Sequence, residues 1–120
     1  MTGQINKNNK PVGQILFADI VLETWPDWSD LLQIFEKAMA AGKLNVINDV
    51  SHKFEPHGVT HIWLLSESHM AVHTWPENNY FAIDIFTCGN EGDPSAVLDY
   101  IKDNLNVQTY TVTRKARGMQ

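Results

Sequence analysis

The sequence predicts an α+β fold in which two helices cover one face of a mainly antiparallel sheet. Three observations point there. Segments with strand character outnumber helical ones, in the order β-α-β-β-β-β-α-β. Turn clusters such as Pro56-His57-Gly58 and Pro76-Glu77-Asn78-Asn79 separate consecutive strands so closely that the chain must double back. Two helices suffice for one sheet face only, so the other face needs cover, for which a second copy of the chain is the expected source.

The elements follow in order. Residues 1–11 read as a loose polar lead-in, and Val12 to Glu23, rich in aliphatic and β-branched residues, reads as the first strand. A helix comes next, with Thr24 as N-cap, Pro26 and Asp27 in its first turn and Gly42 at its stop. Trp28, Leu31, Leu32, Phe35 and Met39 recur at helical spacing and form a core-facing stripe. Leu44 to Phe54 reads as the second strand and Val59 to Leu65 as the third. Ser66-Glu67-Ser68 interrupts with small polar residues before Met70 to Trp75, the fourth strand, and Tyr80 to Thr87, the fifth. After a loop from Gly89 to Pro94, Ser95 to Leu105 is a short helix with Val97, Leu98 and Ile101 on one side. Val107 to Thr113 is the last strand.

With 120 residues the chain has room for one domain, and a hydrophobic content of 43% excludes a disordered or collagen-like chain. A domain of this size buries only about two-thirds of its unfolded surface, so self-association would help it. Nine basic against fourteen acidic residues give a net charge of −5, and the basic residues are scattered apart from Arg114-Lys115 and Arg117. That balance argues against nucleic-acid binding, which needs a concentrated basic face. A single cysteine, Cys88, excludes an intramolecular disulfide. The polar first ten residues do not resemble a signal peptide, and no apolar run is long enough to cross a membrane, so the expectation is a cytoplasmic chain with no membrane partner.

Chemistry-bearing side chains crowd the middle third. All five histidines fall between positions 52 and 73, and Cys88 follows. On a strand, His69 and His73 stand roughly 13 Å apart, too far to share a zinc ion, and there is no His-Glu-x-x-His, so no metal is expected. Ala71, His73 and Trp75 share one face of the fourth strand, and Tyr80, Ala82, Asp84 and Phe86 one face of the fifth. Cys88 reads equally as a buried small hydrophobe or as a reactive thiol. Phe54 and Trp75 read as core filling or as stacking surfaces for a planar ligand. No nucleophile elbow surrounds Ser68, and the residue chemistry alone stops at a His/Ser/Cys cluster in a small sheet without naming a reaction.

The run Ser66-Glu67-Ser68-His69, then His73-Thr74-Trp75-Pro76-Glu77, Asp84 and Phe86-Thr87-Cys88-Gly89 resembles the bacterial and archaeal S-adenosylmethionine decarboxylase proenzymes, over Phe54 to Gly89 without a gap. The resemblance implies a two-layer α/β sandwich that dimerises, with active sites at or near the dimer interface. It implies self-cleavage between Glu67 and Ser68, converting Ser68 into a pyruvoyl cofactor that forms a Schiff base with the substrate, in place of pyridoxal phosphate. It further implies that Cys88 is the proton donor, that His73 assists processing, and that Thr60, where the family usually has serine, supplies a second processing hydroxyl. Phe54 and Trp75 match aromatic positions near the adenosyl sulfonium and base, and Glu77 an acidic position expected at the ribose. The activity implied is a carboxy-lyase making decarboxylated S-adenosylmethionine for spermidine synthesis. Gly13-Gln14-Ile15-Leu16 lacks the histidine usual in the family's first strand, and His61 replaces a usually small residue; both departures are expected near the substrate pocket. They keep open a pyruvoyl-dependent decarboxylase of ornithine or arginine, and Thr60 in place of the usual serine keeps open an unprocessed, non-catalytic homologue acting as a regulatory partner.

Overall fold

The computed structural model describes residues 12–88 and 92–118; the lead-in of residues 1–11, Gly89 and the first part of the loop after it lie outside the described residues. Strands β1 (Gly13–Leu22), β2 (Val46–Lys53), β3 (Val59–Leu65), β4 (His69–Trp75), β5 (Tyr80–Cys88) and β6 (Val107–Arg117) form one sheet in the order β2-β3-β4-β5-β1-β6. Every neighbouring pair is antiparallel. Helices α1 (Trp28–Ala41) and α2 (Pro94–Asn104) pack against each other and against one sheet face, giving the α+β sandwich.

The core lies between helices and sheet and follows strand alternation. Leu16, Ala18, Ile20 and Leu22 of β1, Trp63 and Leu65 of β3, Met70 and Val72 of β4, and Phe81, Ile83 and Ile85 of β5 point inward. Leu31, Phe35, Ala38 and Met39 of α1 and Val97, Leu98 and Ile101 of α2 meet them. Phe35 sits at the centre, edge-on to Phe81 at 5.2 Å and to Trp63 at 6.1 Å between ring centroids.

Some boundaries differ from those the sequence predicts. Helix α1 begins at Trp28 with Asp27 at its N-cap, so Thr24 is not the cap. The chain stays tied to the sheet beyond β1, because the Leu22 and Glu23 amides donate to the carbonyls of Asn79 and Asn106. Pro26 then disfavours helical geometry in the residue before it. At the other end Gly42 has φ −83°, and Lys43 takes the left-handed conformation at φ 58°. Glycine is needed at 42 for space: a Cβ there would lie 2.4 Å from Val97 of α2 and 2.7 Å from the Asp93 carbonyl oxygen. Strand β2 starts at Val46, two residues late, and is exposed throughout because it is an edge strand that the helices do not cover. Strand β6 runs four residues past Thr113, since its pairing with β1 continues to Gly13 opposite Arg117 whatever the polarity of the edge side chains.

The register sets the other sheet face out in rows. One row runs Val50, Ile62, Ala71, Asp84, Phe17, Thr113 from β2 to β6. A second runs His52, Thr60, His73, Ala82, Asp19, Thr111, and a third Asn48, Leu64, His69, Phe86, Ile15, Lys115. The chosen residues of β4 and β5 therefore share a single face. Among the described residues no helix covers it, and Val50 is 67% and Leu64 52% exposed.

Candidate active site

Two groups of the expected site residues lie on this open face, at opposite ends of β4. At the start of β4, Ser66 and Glu67 form a tight hairpin closed by the Leu65 amide donating to the Ser68 carbonyl at 2.9 Å. The Asn45 side chain donates to Ser66 Oγ at 2.9 Å and steadies the same turn. Ser68 is 7% exposed. From the end of β5, the Cys88 thiol donates to the Glu67 carbonyl oxygen at 3.2 Å. That carbonyl belongs to the peptide bond joining Glu67 to Ser68, so serine, peptide bond and thiol meet at one point. Leu64, His69 and Phe86 wall the hollow around it, and Arg117 closes one side.

At the other end of β4 a cleft of about 360 Å³ is lined by Phe54, His57, Thr60, His73, Trp75 and Glu77. Thr60 and His73 face each other across the β3–β4 pair, with 3.0 Å between Oγ1 and Nδ1. Beneath them the Val59 amide donates to Thr74 Oγ1 at 2.8 Å, and that hydroxyl donates back to the Val59 carbonyl, pinning the two strands. The turn between β2 and β3 closes through the Phe54 amide and the Gly58 carbonyl, at 2.8 Å. Gly58, at φ 104°, provides a conformation other residues resist. The turn sets His57 against Glu77, with 3.2 Å from Nε2 to Oε1. Trp75 stacks on Tyr80 at 5.1 Å with the rings 20° apart, and the Tyr80 hydroxyl donates to Asp19. Burial, that hydrogen bond and the charges of Asp19 and Asp84 push the Tyr80 phenol up to about 12.

The structure thus joins Thr60 to His73, and Cys88 to Glu67 and Ser68, but does not bring the two groups together within one chain. His69 and His73 stand four positions apart on the strand, about 13 Å. His61 is not at the pocket. It points to the opposite, core side at 5% exposure, packed 4.1 Å from the Trp63 ring and bonded through Nε2 to Asp49 at 2.7 Å. Neighbouring residues of a strand face opposite ways, so a place beside Thr60 in sequence puts His61 behind the sheet. Sequence reasoning missed His57 and Arg117 as members of these hollows, and Tyr80 as the ring that supports Trp75. Only the Pro56–Gly58 turn signal hinted at the first. Among the described residues no group of three or more His, Cys, Asp or Glu side chains is placed to hold a metal ion.

The sequence profile of the family described as S-adenosylmethionine decarboxylase matches residues 17–118, which take in both helices and all of the sheet except the first four residues of β1. The chain belongs to that family. It is similar to the S-adenosylmethionine decarboxylase proenzyme of Pyrococcus horikoshii, 37% identical over 94 residues, which cover 78% of this chain and 68% of that protein. The proenzyme of Thermococcus onnurineus is 41% identical over 88 residues, 73% of this chain, and the match spans 62% of that relative's length. A crystal structure of the adenosylmethionine decarboxylase of Aquifex aeolicus VF5 superposes with a TM-score of 0.79 at 31% identity, covering 92% of this chain and 94% of that one.

Proposed function

We propose that the chain is a self-processing proenzyme that cleaves between Glu67 and Ser68, and that the processed protein decarboxylates S-adenosylmethionine for spermidine synthesis. The observation that carries this reading is the Cys88 thiol on the Glu67 carbonyl, at the bond to be broken.

The processing chemistry follows from the residues. Ser68 Oγ attacks the Glu67 carbonyl carbon, the carbon–nitrogen bond breaks and the nitrogen takes the hydroxyl proton, leaving an ester. The carbonyl oxygen gains negative charge during that attack, and a thiol proton 3.2 Å away offsets it. A base then removes the Ser68 Cα proton, the Cβ–Oγ bond breaks and Glu67 leaves as a carboxylate. Water replaces the nitrogen, released as ammonia, to give the pyruvoyl group. His73, with Thr60 on its Nδ1, is the base and the positioned partner for these transfers.

The surroundings of Ser68 fit such a group: a closed turn, a thiol donor and apolar walls from Leu64 and Phe86. A pyruvoyl carbonyl supplies an electron sink for decarboxylating an amino acid, so neither metal nor pyridoxal phosphate is required. Cys88 holds a proton at Sγ for return to the product carbon. Phe54 and Trp75 offer ring faces to an adenine and a sulfonium, and Glu77 a carboxylate to ribose hydroxyls.

Because His73 lies at the far end of β4 from Ser68, the working unit is a homodimer joined across the open sheet face, with Thr60 and His73 of one protomer reaching Ser68 of the other. Exposed Phe17, Val50, Ile62 and Leu64 on that face are the surface such a dimer would bury. The reading includes a cytoplasmic location; among the described residues no helix is long and apolar enough to cross a membrane. The ornithine or arginine alternative loses one of its motives, since His61 faces the core rather than the pocket.

An intact-mass spectrum of the denatured protein tests the reading. Two fragments, residues 1–67 and 68–120, the second with a blocked N-terminus, are expected. A single chain that persists on incubation overturns self-processing and favours the non-catalytic homologue. Release of labelled carbon dioxide from S-adenosylmethionine, but not from ornithine or arginine, is the companion result.

A further inference from the structure

We propose that Arg117 receives the carboxylate that processing creates on Glu67, drawing the new chain end aside from Ser68. This rests on the reading that the chain cleaves between those residues. Cleavage changes the charge of the hollow: an uncharged peptide carbonyl becomes an α-carboxylate on a residue that already carries a side-chain carboxylate. Left in place, that carboxylate would crowd the position where substrate must approach Ser68.

The fold places one guanidinium to meet it. Arg117 lines the same hollow as Glu67 and Ser68, with its Cζ 5.3 Å from the centroid of the Phe86 ring. Arg117 belongs to edge strand β6, whereas Phe86 lies two strands away on β5, so the side chain crosses β1 to reach it. Gly13 makes the crossing possible. It pairs with Arg117 on one side and Cys88 on the other, so the row Cys88–Gly13–Arg117 has no side chain at its middle. A Cβ at Gly13 would lie 2.4 Å from the Thr87 carbonyl oxygen and 3.3 Å from the Phe86 ring, closing the passage. A planar guanidinium held against a ring keeps its outward edge free for bidentate bonding to a carboxylate. Among the described residues no ion pair joins Arg117 to an acidic side chain, as expected of a partner for a charge that exists only after cleavage.

The test is a comparison of melting temperatures in two backgrounds without substrate. Arg117→Gln is made in the wild-type chain, which processes, and in Ser68→Ala, which does not, and cleavage is first scored by intact mass. Arg117→Gln should lower the melting temperature of the processed protein by roughly 2–5 °C more than that of the Ser68→Ala protein, in which only the contact with Phe86 is lost. The difference should shrink at 1 M salt, and Arg117→Lys should restore part of it. An equal shift in both backgrounds, or none in either, overturns the proposal while self-processing stands. A loss confined to the KM for substrate overturns it too, assigning Arg117 to the substrate carboxylate. If the wild-type chain itself stays uncleaved, the reading beneath the proposal fails, and the mass spectrum shows that separately.

Discussion

In the proposed reading Ser68 is the nucleophile and the source of the pyruvoyl group, so Ser68→Ala should leave one uncleaved chain with no decarboxylase activity. His73 and Thr60 lie 3.0 Å apart and should fall together. His73→Ala is expected to slow the appearance of fragments by about a hundredfold or more, the usual reach of a positioned acid or base. Thr60→Ser should process at least as fast as the parent, because serine keeps the hydroxyl and frees the stiff side chain; time courses of fragment formation on gels decide both. Tyr80 gives a pH prediction. Its phenol is raised to about 12, first by burial and then by Asp19, whereas an unfolded tyrosine ionises near pH 10. The stability it contributes is therefore complete below pH 10 and is lost as pH rises towards 12. Of the three tyrosines, one should titrate late in ultraviolet absorbance, and Tyr80→Phe should remove that late step. At this scale the sequence was legible through motif resemblance. Phe54, Thr60, His73, Trp75 and Glu77 line one hollow and Glu67 and Ser68 the other, but the physical reading alone left the roles of Cys88 and Ser68 open, because a hydrogen bond between positions 67 and 88 is set by register, which no local pattern encodes.

Secondary structure was legible where the local pattern and the tertiary setting agree. Strand β3, Val59–Leu65, has the predicted ends because β-branched and aromatic residues alternate between an inward and an outward face. Strand β6 was cut short in prediction because Thr-Arg-Lys-Ala-Arg carries no apolar alternation; edge pairing with β1 requires only backbone groups. That missing stretch contains Arg117, so this charged wall of the hollow at Ser68 could not be placed from sequence. Helix packing makes its own prediction at Gly42. Helices α1 and α2 approach closely there, and a Cβ would meet Val97 and the Asp93 carbonyl at 2.4 and 2.7 Å. Backbone and a buried branched side chain cannot both retreat. Gly42→Ala should therefore cost about 1–3 kcal/mol, measurable by urea denaturation, even though alanine favours helix elsewhere.

The open sheet face decides how the molecule works as a whole. A six-stranded sheet with helices on one side leaves Phe17, Val50, Ile62 and Leu64 in water, and two copies joined through a two-fold axis would cover them with the same surface on each. Were that axis perpendicular to β4, it would also reverse the direction of β4 between copies and carry the His73 end of one strand towards the Ser68 end of the other. A charge placed in the middle row, Ile62→Asp, should give a monomer in sedimentation and block cleavage together, although Ile62 touches neither Ser68 nor Cys88. The sharper test is complementation. Ser68→Ala chains retain Thr60 and His73 but have no bond to cleave; His73→Ala chains retain the bond but lack the base. Each should be inert alone. Co-expressed in equal amounts with distinguishable tags, about half of the His73→Ala chains should pair with a Ser68→Ala partner and be cleaved by its His73. The Ser68→Ala chains should stay whole in every mixture. If the His73→Ala chains also remain whole, His73 serves its own chain, and β4 would have to bend or the hairpin at Glu67 fold back across some 13 Å to reach it.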